Sequence, residues 1–322
     1  MASLENFRLV VFRAVAQQCS FRKAAEELYL TQPAVSLQIK ALEEDLGLQL
    51  FDRSGARVAL TPAGKTLLSF ARRSNALLLH AEHALAALDG EHAGNLALGA
   101  STTIAQYVLP RLLGDFRREH PRVQPTLRIG NTESIVRALA QHQIALGLLE
   151  GPARSRDVKT EPFLVDELVL IVSGSHEWAE RAYVTCQELT SIPLVMRERG
   201  SGTRRIVELA LQHHRIRSSA LQIAMELDST EAIKSAVEAG LGAGFVSRWA
   251  LAKDLRIGNS LRMIPIDGLR IRRDFHLARL AGPAPQGPAL EFRRFLFLHV
   301  GAQRATAATH RPKAASSDKK RK

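Results

Sequence analysis

The sequence predicts a small all-α N-terminal domain, a long helix and a larger α/β part within one chain. Short helical patterns lie on both sides of a tight break at residues 29–31, and an apolar seam of helical spacing runs through residues 67–88. Beyond residue 94, strand patterns alternate with amphipathic helices. That alternation is typical of parallel sheets with helices on both faces.

Length and composition indicate a globular protein of two or three domains. The chain has 322 residues, of which 46% are hydrophobic and 24% charged. The sequence shows neither an apolar run of membrane-spanning length nor a secretory signal. Cys19 and Cys186 are far apart, and we expect free thiols in a reducing cytosol. We therefore expect a cytoplasmic protein with no membrane contact and no cofactor.

The formal net charge of +12 does not lie in the N-terminal part of the chain. Residues 1–93 are neutral overall, and the excess is divided between residues 94–300 and the tail 301–322. Overall basicity is therefore no argument for DNA binding. The tail lacks apolar periodicity and is predicted to be disordered. Its terminal KKRK is expected to serve solubility, with sequence-independent DNA affinity as the alternative.

The N-terminal pattern predicts one helix over residues 4–18 and a helix-turn-helix over residues 20–47. Ser20 and Thr31 are suitable N-caps, because a hydroxyl can accept a hydrogen bond from a free amide at a helix start. In the second helix of the pair, four apolar residues predict one buried stripe. They are Val35, Ile39, Leu42 and Leu46.

The opposite face of that helix is predicted to enter the DNA major groove. Gln32 can hydrogen-bond an adenine edge, Lys40 a guanine edge or a phosphate, and Leu37 can contact a thymine methyl. With two wing arginines, the predicted DNA-binding residues are Thr31, Gln32, Pro33, Ser36, Leu37, Lys40, Arg53 and Arg57. The alternatives are a helical hairpin with a solvated polar face and, for the arginines, solvated loop charge.

Residues 50–60 predict a β-hairpin wing that turns at Ser54–Gly55, followed by a helix capped at Thr61. Small and apolar residues recur along that helix at steps of four and three. They are Leu67, Ala71, Ser74, Leu78, Ala81, Leu85 and Leu88. Such a heptad seam predicts pairing of two copies of the chain; packing on the helix's own domain is the alternative.

The exact sequence of residues 24–64 is a more specific signal than the periodicity of its apolar residues. It reads A-A-x-x-L-x-x-T-Q-P-A-V-S-x-Q-I-K-x-L-E-x-x-L-G, then L-F-x-R and L-T-x-A-G. It resembles the N-terminal domain of LysR-type transcriptional regulators. The resemblance implies a winged helix-turn-helix over residues 1–60 and a linker, or dimerisation, helix over residues 61–90. The partners it implies are double-stranded promoter DNA, a homodimer or homotetramer, and RNA polymerase as a further candidate.

The same resemblance implies an effector-binding domain over residues 94–300. It would consist of two subdomains joined by two crossover strands, as in periplasmic solute-binding proteins. Subdomain I would hold residues 94–163 and 270–300, and subdomain II residues 168–265. The crossovers would lie near residues 163–167 and 266–270.

Small polar residues follow several predicted strands, at the starts of helices. A helix N-terminus offers free N–H groups and partial positive charge, and strand ends in such sheets line a ligand crevice. We therefore expect these turns, with Ser229–Thr230, to converge on a small anion; for any single turn, plain helix capping is the alternative. The predicted effector residues are Ser101, Thr102, Thr103, Asn131, Thr132, Gly200, Ser201, Gly202 and Thr203.

Two arginines border the glycine-containing turn. Arg197 and Arg199 could supply charge to an anion or pair with Glu198. The segments STTIAQYVLP and RERGSGT resemble the corresponding segments of the family branch that contains regulators of carbon fixation and sulfur assimilation. This implies an inorganic oxyanion such as sulfite or sulfate, or a phosphorylated or acidic metabolite.

No catalytic constellation is recognisable, so we expect no enzyme activity. Ser201 lacks the G-x-S-x-G context of a nucleophile, and the glycines of residues 240–244 follow a helix, the reverse of a dinucleotide-binding turn. The alternative function is an enzyme or transport-type binding protein that has acquired a helical N-terminal domain.

Overall fold

Three helices form the N-terminal part of the protein: α1 (Phe7–Gln18), α2 (Phe21–Glu27) and α3 (Gln32–Leu46). The computed structural model describes residues 6–53, 58–88, 94–151, 153, 155–251 and 260–309. Both predicted N-caps are confirmed: the Ser20 hydroxyl accepts from the Lys23 amide and the Thr31 hydroxyl from the Ala34 amide. The break between α2 and α3 therefore has the predicted chemistry.

The predicted inner face of α3 is confirmed at three of its four positions. Val35, Ile39 and Leu42 are buried in a core that includes the rings of three phenylalanines, Phe12, Phe21 and Phe51, in tilted and edge-to-face contact. Leu46 is wrong as a core residue, since it is 45% exposed. Phe7, the first residue of α1, is likewise 51% exposed. Both lie in terminal turns of their helices, where helix packing no longer covers them.

The wing is a short antiparallel pair, β1 (Phe51–Asp52) and β2 (Ala59–Leu60). The predicted turn and Arg57 lie outside the described residues. Helix α4 (Pro62–Leu88) follows, and the Thr61 hydroxyl accepts from the Gly64 amide at its start. A Cβ at Gly64 would lie 2.1 Å from the Leu50 carbonyl oxygen. Glycine therefore lets the first turn of α4 lie directly against the chain that enters the wing.

In the first turns of α4, the residues of the predicted seam do not remain free for a second copy of the chain. Leu67 and Ala71 pack on the core of the N-terminal helices, which is the alternative of packing on the helix's own domain. Two other apolar residues on α4 are exposed: Phe70 at 60% and Leu77 at 70%. Of the later seam residues, Ser74 and Ala81 are exposed and Leu78 is half-buried, so Phe70 and Leu77 extend the exposed side of the predicted seam. The side chains of Leu85 and Leu88 lie outside the described residues.

The remaining strands form one sheet. They are β3 (Gly94–Ser101), β4 (Val123–Gly130), β5 (Leu146–Leu149), β6 (Val158–Ser173), β7 (Pro193–Arg197), β8 (Gln222–Leu227), β9 (Ala243–Ser247), β10 (Leu261–Ile264) and β11 (Ile271–Leu280). Their order is β4-β3-β5-β11-β6-β9-β7-β8, and β10 pairs with β6. The outer strands on each side are parallel, but the central β6 and β11 run antiparallel to each other and to their neighbours. The sheet is thus mixed rather than parallel throughout, because these two long strands join both halves.

The helices of this part cover both halves of the sheet. They are α5 (Leu109–Glu119), preceded by a π-helical turn at Ile104–Val108, α6 (Thr132–Ala140), α7 (Gly202–His213), α8 (Thr230–Glu238) and α9 (Gly287–Thr309). Two separate buried clusters result, one around Leu98, Phe116 and Phe292 and another around Leu170 and Leu194. Two cores joined by two shared strands are the architecture expected of a two-subdomain effector-binding fold.

The C-terminal prediction is partly wrong. Helix α9 continues to Thr309, although disorder was expected from residue 301. Four alanines in residues 302–308 give this segment a high helix propensity even without an apolar stripe. Residues 310–322 lie outside the described residues. Within the described chain, no helix combines the length and the apolar character needed to cross a bilayer.

Two glycines in helices should respond oppositely to alanine. Gly64→Ala should lower the free energy of unfolding by about 1–3 kcal/mol, because the new methyl group meets backbone that cannot move aside cheaply. Gly114→Ala, in α5, should raise it by up to about 1 kcal/mol, because its added Cβ meets no atom within 4 Å and alanine favours helix. Urea unfolding of both variants measures this. A stable Gly64→Ala protein would contradict the proposed close packing.

Candidate functional site

The outward face of α3 presents the side chains predicted to contact DNA. Thr31, Gln32 and Pro33 are exposed at the start of the helix, and Leu37 is 64% exposed. The Ser36 side chain is half-buried. Lys40 points outward and lies 3.7 Å from Glu44, in an exposed pair that a phosphate could replace at little cost. This face is free of packing on the rest of the described N-terminal part.

Glu43 ties α3 to the wing. Its Oε1 accepts hydrogen bonds from the Leu50 and Phe51 amides at 2.7 and 3.2 Å. Its Oε2 lies 3.4 Å from the Arg53 guanidinium. A buried amide left without a partner costs about 1–3 kcal/mol, so the carboxylate fixes the position of the wing relative to α3.

Arg53 has protein partners on one side and an open side. Its guanidinium lies 4.6 Å from the centre of the Phe21 ring, yet the side chain remains 48% exposed. Stacking on a ring holds the planar group in one orientation and leaves its outer edge available for a phosphate. A groove of about 710 Å³ separates α3 from the wing. It is lined by Pro33, Ser36, Leu37, Lys40, Glu43, Gln49, Phe51, Asp52 and Arg53.

The predicted polar turns of the α/β part converge where the two halves of the sheet meet. The Thr103 hydroxyl lies 3.4 Å from the Thr230 hydroxyl, and the Asn131 amide donates to the Arg199 carbonyl at 3.5 Å. The Ser101 and Thr132 hydroxyls lie 3.3 Å apart within one half. We call this region the cleft.

Several of the turn residues also act as ordinary helix caps. The Ser201 hydroxyl accepts from the Arg204 amide at 3.4 Å, and the Asn131 side chain accepts from the Ser134 amide at 2.9 Å. The Ser229 hydroxyl likewise accepts from the Ala232 amide at 3.1 Å. The capping alternative thus applies to these side chains.

The two glycines of the Gly200–Gly202 turn permit close approach between the halves. A Cβ at Gly200 would lie 2.8 Å from the Glu133 carboxylate, and one at Gly202 would lie 2.6 Å from the Thr132 hydroxyl. Gly200 also has φ +87°, a conformation that glycine adopts without strain. The atoms that approach these glycines belong to the opposite half of the protein.

Arg197 lies at the end of β7, inside the cleft. It is only 3% exposed, and its Nη2 donates to the Thr102 hydroxyl at 2.9 Å and to the Asp228 carbonyl at 3.0 Å. Its Nε donates to Glu198, the pairing offered as an alternative to anion binding. The remaining nitrogen, Nη1, has no hydrogen-bond partner among the described residues. A buried guanidinium N–H without a partner is costly, so a ligand oxygen would be stabilised there.

A buried ion cluster, absent from the sequence-based predictions, lies beside Arg197. Arg273, in β11, donates to Glu150 at 2.9 Å, to the Thr203 hydroxyl at 2.8 Å and to Asp166 at 2.7 Å. The Ser247 hydroxyl donates to the other Asp166 oxygen at 2.7 Å. The cluster therefore joins both crossover strands to both halves. In the sequence, the only indication of this cluster was that each charged residue lies within, or at the end of, a strand that is otherwise buried.

The carboxylates of the cluster titrate differently. Burial alone would raise the pKa of Glu150, but the charges of Arg273 and Arg197 and the hydrogen bonds from Thr203 and Thr103 bring the pKa below its ordinary value. For Asp166, burial raises the pKa, and Arg273 and Ser247 oppose the shift only in part. Glu150 is therefore the firmly ionised member of the cluster.

Comparison with known proteins assigns the chain to a family. Residues 7–65 match the bacterial regulatory helix-turn-helix proteins of the lysR family, and residues 89–299 match the LysR substrate binding domain. The chain belongs to the LysR family. It is therefore a transcriptional regulator with an effector-binding domain and not an enzyme.

Relatives of this regulator confirm the branch that the sequence suggested. It is 39% identical over 274 residues to a probable RuBisCO transcriptional regulator of Cyanophora paradoxa, covering 84% of each chain. It is 36% identical to the HTH-type transcriptional activator CmpR of Synechocystis, over 92% of this chain and 96% of CmpR.

A solved structure aligns with the α/β part. The Synechocystis CcmR regulatory domain, in complex with 2-PG, is 30% identical, with a TM-score of 0.59. The alignment covers 64% of this chain and 97% of that domain.

Proposed function

We propose that this LysR regulator binds promoter DNA through α3 and the wing and responds to a small phosphorylated or acidic metabolite in the cleft. The observation that carries the effector assignment is Arg197, a buried arginine with an unpartnered Nη1 beside the Thr102 hydroxyl. An arginine surrounded by hydroxyls and helix N-termini binds phosphate or carboxylate oxygens well. Sulfate or sulfite is the second candidate class, because it presents similar oxygens.

The similarity to CcmR supports the phosphorylated class. That domain was solved with 2-PG, and the relatives of this chain include regulators named for RuBisCO. The residues proposed for the effector are the predicted set, Ser101, Thr102, Thr103, Asn131, Thr132, Gly200, Ser201, Gly202 and Thr203, with Arg197 added.

Effector binding would act by shifting the population of two arrangements of the effector-binding halves. The contacts across the cleft, such as Thr103 with Thr230 and Arg197 with Thr102, exist only when the halves are close. An anion that binds Arg197 and a helix N-terminus of the other half together has a higher affinity for that closed arrangement. The angle between paired DNA-binding domains would change with it.

We propose a homodimer or homotetramer that acts in the cytoplasm, where the promoter is. The exposed Phe70 and Leu77 lie seven residues apart on one face of the long α4. Burying two such side chains against a second copy would contribute about 1.5–3 kcal/mol each. RNA polymerase is a further proposed partner, since a transcriptional activator requires it.

The DNA-binding face can be tested by gel shift with the DNA upstream of the gene itself. Ser36→Asp and Lys40→Glu should each weaken binding by about tenfold or more, since each places a negative charge against the duplex. Lys159→Glu makes the same charge change as Lys40→Glu at an exposed position on β6, and binding should be unaffected. Equal affinities for all four proteins would refute the major-groove assignment.

The effector class can be tested by calorimetry with 2-phosphoglycolate, glycolate, phosphate and sulfate. Arg197→Met should reduce the affinity for 2-phosphoglycolate by about 10- to 100-fold, because a charge-assisted hydrogen bond contributes about 1.5–3 kcal/mol. Arg199→Met is the matched control, as Arg199 is exposed on the same turn. Tighter binding of sulfate than of 2-phosphoglycolate would select the inorganic class, and no loss in Arg197→Met would remove Arg197 from the site.

The pairing face can be tested by sedimentation at micromolar concentration. The double substitution Phe70→Ser with Leu77→Ser should shift the protein towards monomers, because it removes the exposed apolar surface of α4. Leu298→Ser should not, although Leu298 is 76% exposed on α9. A wild-type monomer, or an unchanged oligomer in the double variant, would contradict the proposal.

A further inference from the structure

The cleft contains an anion seat that is formed by the two halves and the crossover strands. Its donors are the Thr103 backbone N–H, the Thr203 hydroxyl and Nη1 of Arg273. The first belongs to the turn after β3, the second to the start of α7, and the third to β11. A main-chain amide, a hydroxyl and a guanidinium that face one point are the donor set that binds a carboxylate or another oxyanion.

In the structure, these three donors are already hydrogen-bonded to a side chain of the protein itself. Glu150 Oε1 accepts from the Thr103 amide at 2.7 Å, and Oε2 accepts from Thr203 at 2.7 Å and from Arg273 at 2.9 Å. Glu150 is 1% exposed, and both of its oxygens are satisfied. Its side chain begins in one half, directly after β5, and binds a residue of the other half.

We propose that Glu150 is a built-in occupant of this seat, a specificity-determining residue that takes the place of a bound anion. The carboxylate holds Thr103 and Thr203 together without any effector. It also confines the negative group of an incoming effector to the neighbouring Arg197–Thr102 side of the cleft, because its carboxylate already takes the Thr103 amide and the Thr203 hydroxyl. Of the residues proposed for the effector, these two would therefore contribute only their other atoms.

The surrounding charges fit this assignment. Arg273 is also bound to Asp166, so it stays paired and in place when Glu150 is removed. The other Arg273 nitrogen, Nη2, has no hydrogen-bond partner among the described residues. Removal of the Glu150 carboxylate would therefore leave a preformed space lined by the Thr103 amide, the Thr203 hydroxyl and two Arg273 nitrogens, of which Nη1 keeps its hydrogen bond to Thr203.

The test is chemical rescue of the full-length Glu150→Ala protein. Its Tm should fall below that of the wild type. Sodium formate, acetate or sulfate should raise it again, relative to sodium chloride of equal ionic strength, because an anion that binds only the folded state stabilises it. The rise should exceed any rise in the wild type, and it should shrink when Thr203→Val is added.

The matched control is Glu161→Ala. Glu161 also binds an arginine, Arg293, at 2.6 Å, but this pair is about one third exposed and lies outside the cleft. Its removal should create no anion-dependent rise in Tm. Equal responses of the wild type and the two alanine variants would overturn the proposal, as would a Glu150→Ala protein of unchanged Tm.

If Glu150→Ala fails to fold, Glu150→Gln keeps the volume and replaces the charge. Hydrogen exchange at the Thr103 amide should then be about tenfold faster than in the wild type, since an amide oxygen is a weaker acceptor. Glu161→Gln should leave it unchanged, and wild-type exchange rates in Glu150→Gln would overturn the proposal. The seat does not depend on the effector, whereas the confinement of the effector rests on the proposed function: Arg197→Met tests the effector site, and the rescue of Glu150→Ala tests the seat.

Discussion

The effector-binding part depends on one buried ion cluster on the paired strands β6 and β11. Arg273 and Asp166 lie on these two strands, and both side chains are fully buried. Removal of one partner of such a pair costs about 3–5 kcal/mol, while the intact pair contributes little net stability. The cluster therefore acts mainly on geometry. It links β6 to β11 at the paired positions Asp166 and Arg273, and through Glu150, Thr203 and Ser247 it fixes how the two halves face each other.

The N-terminal part follows the same logic on a smaller scale. Helix α3 buries one face and must keep the other free, so its orientation is fixed from its ends. Thr31 caps the start, and Gly47 ends the helix in a left-handed conformation with φ +62°. Glu43 then connects the last turns to the wing. The outward residues need no partner in the protein because these contacts already fix the helix.

Local structure was predictable from the sequence, and long-range pairing was not. Caps at Ser20 and Thr31 and the positions of the strands follow from residues within a few positions of one another. Glu150 and Arg273 are 123 residues apart, so nothing local indicated their contact. The seam of α4 shows the same limit in its first turns: helical spacing identifies apolar residues but not which neighbour covers them. Leu67 and Ala71 pack against the core of the N-terminal helices, while Phe70 and Leu77 are exposed to solvent.

The hydroxyls that identified the cleft in the sequence do not explain its selectivity. Each buried guanidinium group there has a carboxylate partner: Arg197 is bound to Glu198, Arg204 to Glu208, and Arg273 to Glu150 and Asp166. Net attraction for anions is therefore weak, and binding must come from directed donors. Glu150 uses the donors around Arg273, and those around Arg197 are only partly used. A small ligand that directs one anionic group at Arg197 and holds any second one away from Glu150 and Asp166 fits this division.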